Sequence, residues 1–151
     1  MPGYAYSVDF DPTGRRVAIG SYFGPGEIWD VESGRKLATL SGQTGSIQSI
    51  RYSPDGSVVV TGGTDGTVRV WDAASGDQLL VLEGHEGEVS ALAFSPDGAK
   101  LASSSPDGTV RVWAIDLDDL IRIARGELTR GFTEAECRLY LRLEGCPSGS
   151  S

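Results

Sequence analysis

The clearest hydrophobic pattern in the chain follows the polar turn Thr64-Asp65-Gly66-Thr67. Val68 and Val70 alternate there with Arg69 and Trp71 before Asp72 closes the run. Period-two alternation predicts a strand with two distinct faces, and the Asp-Gly pair before it predicts a tight turn. The same string, Asp-Gly-Thr-Val-Arg-Val-Trp, returns at residues 107–113. A worn copy ends in Glu27-Ile28-Trp29-Asp30. Trp29, Trp71 and Trp113 are spaced 42 residues apart.

Laying the chain on that period assigns the remaining strands. Innermost strands are expected at residues 4–10, 46–52 and 88–94. Each is followed by a turn: Asp11-Pro12-Thr13-Gly14, Ser53-Pro54-Asp55-Gly56 and Ser95-Pro96-Asp97-Gly98. Proline presets φ, aspartate bonds its own backbone, and glycine takes the left-handed position. Second strands are expected at 16–20, 58–62 and 100–104. Third strands carry the tryptophans, and outer strands fall at 36–40 and 78–82. The inner strands are apolar on both alternating faces (Val89, Ala91 and Ala93 against Leu92 and Phe94), which predicts sheets covered on both sides by their neighbours. A self-similarity of about 40–45 residues with a Trp-Asp pair and four strands per repeat is the mark of a propeller blade. The expected fold is all-β: a partial β-propeller of three four-stranded blades at about 4–42, 46–84 and 88–115, the last without its outer strand. The first blade is divergent, because Phe23 replaces the turn aspartate and Pro25 and Gly26 stand at a strand start.

Between residues 47 and 72, 11 of 26 positions are identical to their counterparts one period on. Together with Gly84-His85, Leu101-Ala102-Ser103 and the Ser-Pro-Asp-Gly turns, these strings resemble the WD-repeat (WD40) β-propeller family over residues 4–114. The resemblance implies a structural network in the third blade: His85 to Asp107, His85 to the hydroxyl of Ser103, and that hydroxyl to the indole of Trp113. The indole N–H has no role other than donor, and leaving it buried and unpaired costs about 1–3 kcal/mol. In the second blade Thr61, Asp65 and Trp71 are in place, but Gln43 stands where the histidine belongs, so that network is expected to be incomplete. In the first blade only Trp29 remains, with Ile19 and Phe23 at the other positions. A serine, a histidine and an aspartate invite a catalytic reading, and a propeller hydrolase with its site on the upper face is the alternative. No convergent polar set beyond the network residues supports it. The expectation is a non-catalytic platform for protein partners, with a structural remnant that binds nothing as a further alternative.

Composition narrows the partners. A net charge of −8 argues against nucleic acid and anionic membranes, which attract clustered Lys and Arg. No apolar run approaches the roughly 18 residues of a membrane span, and no leader-like segment opens the chain, so a cytoplasmic setting is expected. The aspartate-rich turns lack the alternating ligand series of an EF-hand, and no phosphate loop or nucleophile elbow is present. Neither a metal nor a cofactor is expected. Partner binding is expected on the upper face, at Gln43, Thr44, Thr64, Glu83, Glu86, Glu88 and Pro106. That surface is acidic around the third blade, which suits a basic partner.

After Trp113 the pattern turns helical. Leu117, Leu120, Ile121 and Ala124 form one stripe between an N-cap at Asp116 and a stop at Gly126. A second helix is expected after the capping box of Thr133 and Glu136, ending near Gly145, with the last residues disordered. This tail, 116–151, resembles those that follow the last blade of bacterial multidomain WD-repeat signalling proteins. It is expected to cap the third blade on its outer edge or lower side. Cys137 and Cys146, up to roughly 13 Å apart if helical, exceed the limit of about 7 Å for a disulfide and are expected as free thiols. Three blades leave two apolar faces and two edges open, so the chain reads either as one whose ring is completed by other copies or as the C-terminal part of a longer propeller.

Overall fold

A computed structural model describes residues 4–124. Eleven strands form three antiparallel sheets. The first holds β1 (Ala5–Phe10), β2 (Arg16–Ser21), β3 (Gly26–Asp30) and β4 (Lys36–Leu40). The second holds β5 (Ile47–Tyr52), β6 (Val58–Gly63), β7 (Val68–Asp72) and β8 (Gln78–Leu82). The third holds β9 (Ala91–Phe94), β10 (Lys100–Ser104) and β11 (Val110–Ala114), followed by the helix α1 (Leu117–Ala124). Within each sheet, consecutive strands are neighbours, as expected of propeller blades. The first turns of the three blades superpose in sequence and in backbone: Gly14, Gly56 and Gly98 have φ of 72°, 73° and 72°. The loops β2–β3, β4–β5, β6–β7, β8–β9 and β10–β11 emerge at one end, called here the upper face.

Each blade has a face bearing its tryptophan and an opposite face. Register places Tyr52, Val59 and Trp71 side by side on the first, and they pack with Ala18, Ile28 and Leu40 from the opposite face of blade one. The joint between blades two and three repeats this arrangement. Val58, Val60, Val68 and Val70 of blade two meet Leu92, Leu101 and Trp113 of blade three. Glycine makes both joints close. A Cβ at Gly20 would lie 2.7 Å from Ile47 Cγ2, and one at Gly62 would lie 2.5 Å from Val89 Cγ1, so a β-branched knob seats directly on bare backbone in each case.

The third innermost strand starts later than its pattern predicts, at Ala91 in place of residue 88. The Val89 N–H explains the shift, since it donates across the joint to the Gly63 carbonyl (2.9 Å) and not into its own sheet. The expectation of cover on both faces holds for blade two alone. Blade one leaves Tyr6, Val8 and Phe10 more than half exposed, and blade three does the same with Val110 and Val112.

The helix lies on the lower side of blade three, one of the two places expected, and reaches blade two as well. Leu117 and Ile121 are buried in one cluster with Leu80 and Leu82 of β8 and with Ile115. The lower turns of blades two and three flank it, with Gly98 in van der Waals range of Leu117. It therefore covers the leucines of blade two's outer strand from the lower side. β11 stands at the edge of its sheet. Burying a large apolar side chain contributes about 1.5–3 kcal/mol, which favours a seat against Leu80 and Leu82. The side chains of Leu120 and Ala124, the second helix, Cys137 and Cys146 lie outside the described residues.

The glycine seats yield a direct prediction. Gly62→Ala should destabilise the protein by about 1–3 kcal/mol through overpacking, and Val89→Ala in the same chain should recover part of the loss. Denaturant melts of the two single variants and the double variant test this. Additive losses would mean that Gly62 and Val89 do not share a seat.

Candidate functional site

The upper end of each joint carries a chain of hydrogen bonds anchored on a buried indole. In blade three, Trp113 Nε1 donates to Ser103 Oγ (2.9 Å), and Ser103 Oγ lies 2.7 Å from His85 Nε2. His85 Nδ1 lies 3.1 Å from both Asp107 Oδ2 and Thr109 Oγ1. Since Ser103 accepts from the indole, its own proton is directed to Nε2. That assigns the neutral tautomer in which Nδ1–H donates to Asp107. The Glu86 backbone N–H also donates to Asp107 (3.0 Å). Hydrogen bonds from Thr109 lead the forces holding the Asp107 carboxyl well below the ordinary aspartate range; those from Glu86 and His85 add to them, and desolvation opposes them.

Blade two completes the network that its sequence seemed to lack. Trp71 Nε1 donates to Thr61 Oγ1 (2.9 Å), and Thr61 Oγ1 donates to Gln43 Oε1 (2.7 Å). Gln43 Nε2 donates in turn to Asp65 Oδ1 (2.6 Å) and Thr67 Oγ1 (2.9 Å). An amide thus replaces an imidazole, accepting on one atom and donating on the other in the same order. Thr44 adds its backbone N–H and its hydroxyl to Asp65 Oδ2. Burial works to raise the Asp65 pKa, but hydrogen bonds from Thr67, Gln43 and Thr44 outweigh it and hold it low.

In blade one the indole takes a different partner, with Trp29 Nε1 donating to Glu27 Oε2 (2.9 Å) while Lys36 Nζ reaches Glu27 Oε1 (3.3 Å). Sequence reasoning missed Glu27, Thr67 and Thr109. The two threonines could have been found, because Asp-Gly-Thr recurs in both strong repeats. Glu27 could not, since it stands where Arg69 and Arg111 stand in the other copies.

As a hydrolase triad the Ser103–His85–Asp107 group fails on access. Ser103 is 1% exposed, the His85 side chain is fully buried, and the serine hydroxyl is already committed to the indole. A nucleophile must reach substrate.

The remaining upper-face residues present themselves to solvent. Thr44, Thr64, Glu83, Glu86 and Pro106 are exposed, whereas Gln43 is turned inward and Glu88 is half-buried near Gln48 Nε2 (3.4 Å). Beside them at the first joint, Phe23, Gly24, Pro25, Ser41 and Gly42 line an open groove with Gln43 and Gly45. Phe23 is exposed there and stacks edge-on against Tyr22, ring centres 4.4 Å apart. The sequence reading did not include this aromatic pair.

The family profile described as WD40, WD domain, G-beta repeat, matches residues 34–72 and 76–114. The chain belongs to the WD40 family. Each matched WD40 unit runs from an outer strand into the next blade, β4 through β7 and then β8 through β11. The strands β1, β2 and β3 lie outside both matched WD40 units, yet they form a sheet of the same order. Among curated proteins, none matches this WD40 chain significantly.

The networks predict a contrast between two substitutions. Gln43→Ala leaves Thr61 and Asp65 short of a buried partner and should cost about 1–3 kcal/mol, while Gln43→His should restore most of it by recreating the arrangement of blade three. Thermal melts decide, and equal stabilities for wild type and Gln43→Ala would contradict the network.

Asp107 adds a pH dependence. Its folded-state pKa is depressed below the ordinary 3.8, so its contribution is fully present above that value and is lost as pH falls below it. Asp107→Asn should flatten part of the acid limb of the melting profile. Parallel acid limbs for the two proteins would remove Asp107 from that role.

Proposed function

We propose that the chain is a non-catalytic platform that binds a protein segment on its upper face. WD40 repeats generally mediate protein–protein interaction. The observation that carries the reading is the pairing of exposed Tyr22 and Phe23, beside an open groove at the first joint, with exposed Glu83 and Glu86 at the second. The groups that resemble catalytic machinery are consumed by the indole networks. An aromatic anchor with an acidic flank suits a partner segment that offers an apolar side chain followed by Lys or Arg. The resemblance of the tail sequence, 116–151, to those that follow the last blade of bacterial multidomain WD-repeat signalling proteins supports placing the platform at the sensor or scaffold end of such a protein, in the cytoplasm.

Selection from a random peptide library tests the binding chemistry. Recovered peptides should combine an aromatic or aliphatic residue with clustered Lys or Arg, and their affinity should fall with salt. Phe23→Ala should weaken binding about tenfold or more, in line with an anchor worth at least 1–2 kcal/mol. Glu83→Lys with Glu86→Lys should slow association. Peptides that carry no basic residues, or that bind both variants like wild type, would overturn the reading.

A further inference from the structure

The innermost strands β1, β5 and β9 stand side by side, each at the end of its own sheet. On such a strand alternate residues turn their N–H and C=O groups away from the only neighbour they have. On β5 the Ser53 N–H donates back to the Val58 carbonyl (3.0 Å), so the preceding residue, Tyr52, points its N–H outward. Blade one caps that edge. Asp9 Oδ2 accepts from the Tyr52 N–H at 2.9 Å, and Ser7 Oγ accepts from the Ile50 N–H at 3.2 Å. The same reasoning holds on β9. The Ser95 N–H donates to the Lys100 carbonyl (2.9 Å), so Phe94, whose register partner is Leu101, points its N–H outward.

The residue placed to cap Phe94 is the counterpart of Asp9 one period on, and that residue is Arg51. A guanidinium carries five donors and no acceptor, so it cannot take up an N–H. Arg51 turns back on its own strand instead, Nη1 donating to the Ile50 carbonyl (2.7 Å). Acidic residues outnumber Lys and Arg in this chain by 21 to 13. Yet among the described residues no carboxylate pairs with Arg51, and no group accepts from the Phe94 N–H. Both residues are half-buried, so neither is sealed from solvent, and the neighbouring Ala93 is exposed. We infer that the inner edge of the second joint binds a carboxylate ligand, held between the Arg51 guanidinium and the Phe94 N–H. The ligand takes the place that the chain's own Asp9 carboxylate takes at the first joint. There one carboxylate oxygen meets the outward N–H. At the second joint the other oxygen faces a planar fork of N–H donors, whose geometry matches a carboxylate. The requirement is local, set by one substitution between two otherwise repeated joints, and it is separate from the upper-face site.

Amide-resolved NMR spectra of the chain, titrated with sodium acetate against sodium chloride at equal ionic strength, test the site. Acetate should move the Phe94 amide signal saturably and leave that of Tyr52, already capped by Asp9, in place. Arg51→Gln should weaken the acetate response at least tenfold, while circular dichroism and the melting temperature stay those of the wild type. A short peptide with one glutamate and an amidated C-terminus separates two sources of the carboxylate. Saturation at lower concentration than acetate assigns the group to a protein partner, and saturation at the same or higher concentration assigns it to a small free acid. A Phe94 signal that does not saturate with either probe overturns the proposal. So does a shift shared equally by Tyr52, or one that survives Arg51→Gln unchanged. A response to inorganic phosphate without one to acetate overturns the choice of a carboxylate.

Discussion

The contact between the flat face of one sheet and the tryptophan face of the next governs nearly everything else in this molecule. An isolated four-stranded sheet has two faces to hide, and the side chains of the middle blade are hidden only because both neighbours press on it. Closeness at these joints depends on the backbone at Gly20 and Gly62, where Ile47 and Val89 sit in direct contact with the strand. The polar parts of the joints follow from that closeness. Once Trp71 is fully buried, its N–H must find an acceptor inside the joint. Thr61 supplies one, and the proton order then runs outward through Gln43 to Asp65.

Much of this was written in the sequence. The period fixed by Trp29, Trp71 and Trp113 located all eleven strands to within a few residues, because each repeat is one supersecondary unit with its own turn signals. The links from Trp113 through Ser103 and His85 to Asp107 could also be anticipated, since residue types and spacing agree with the family pattern. What escaped was substitution by function in place of identity. Gln43 does the work of a histidine because a carboxamide carries an acceptor and a donor about as far apart as the two ring nitrogens need to be. Glu27 answers the need of Trp29 from the neighbouring strand position. Neither follows from a pattern that counts letters.

The position of the helix was legible only in part, for a different reason. Its amphipathic stripe shows that it must bury something, but not which surface wins. The open strand edge of β11 and the leucines of β8 both needed cover, and the helix, set on the lower side of blade three, reaches the leucines. Leu80 and Leu82 are held in the cluster by Ile115, Leu117 and Ile121. Which of two surfaces a helix covers is a tertiary question, because both are defined only once the blades are assembled.

The indoles have a consequence beyond packing. Each blade owns a single tryptophan, and each indole N–H ends on a chemically different acceptor: a carboxylate in Glu27, a threonine hydroxyl in Thr61, and a serine hydroxyl leaning on His85 in Ser103. Exposure differs as well, from the half-buried Trp29 to Trp71 with none. Light emission from an indole depends on the polarity around it and on nearby groups that quench it. The molecule therefore carries three built-in optical labels, one per blade, and the order in which blades separate can be followed by colour without attaching anything to the chain.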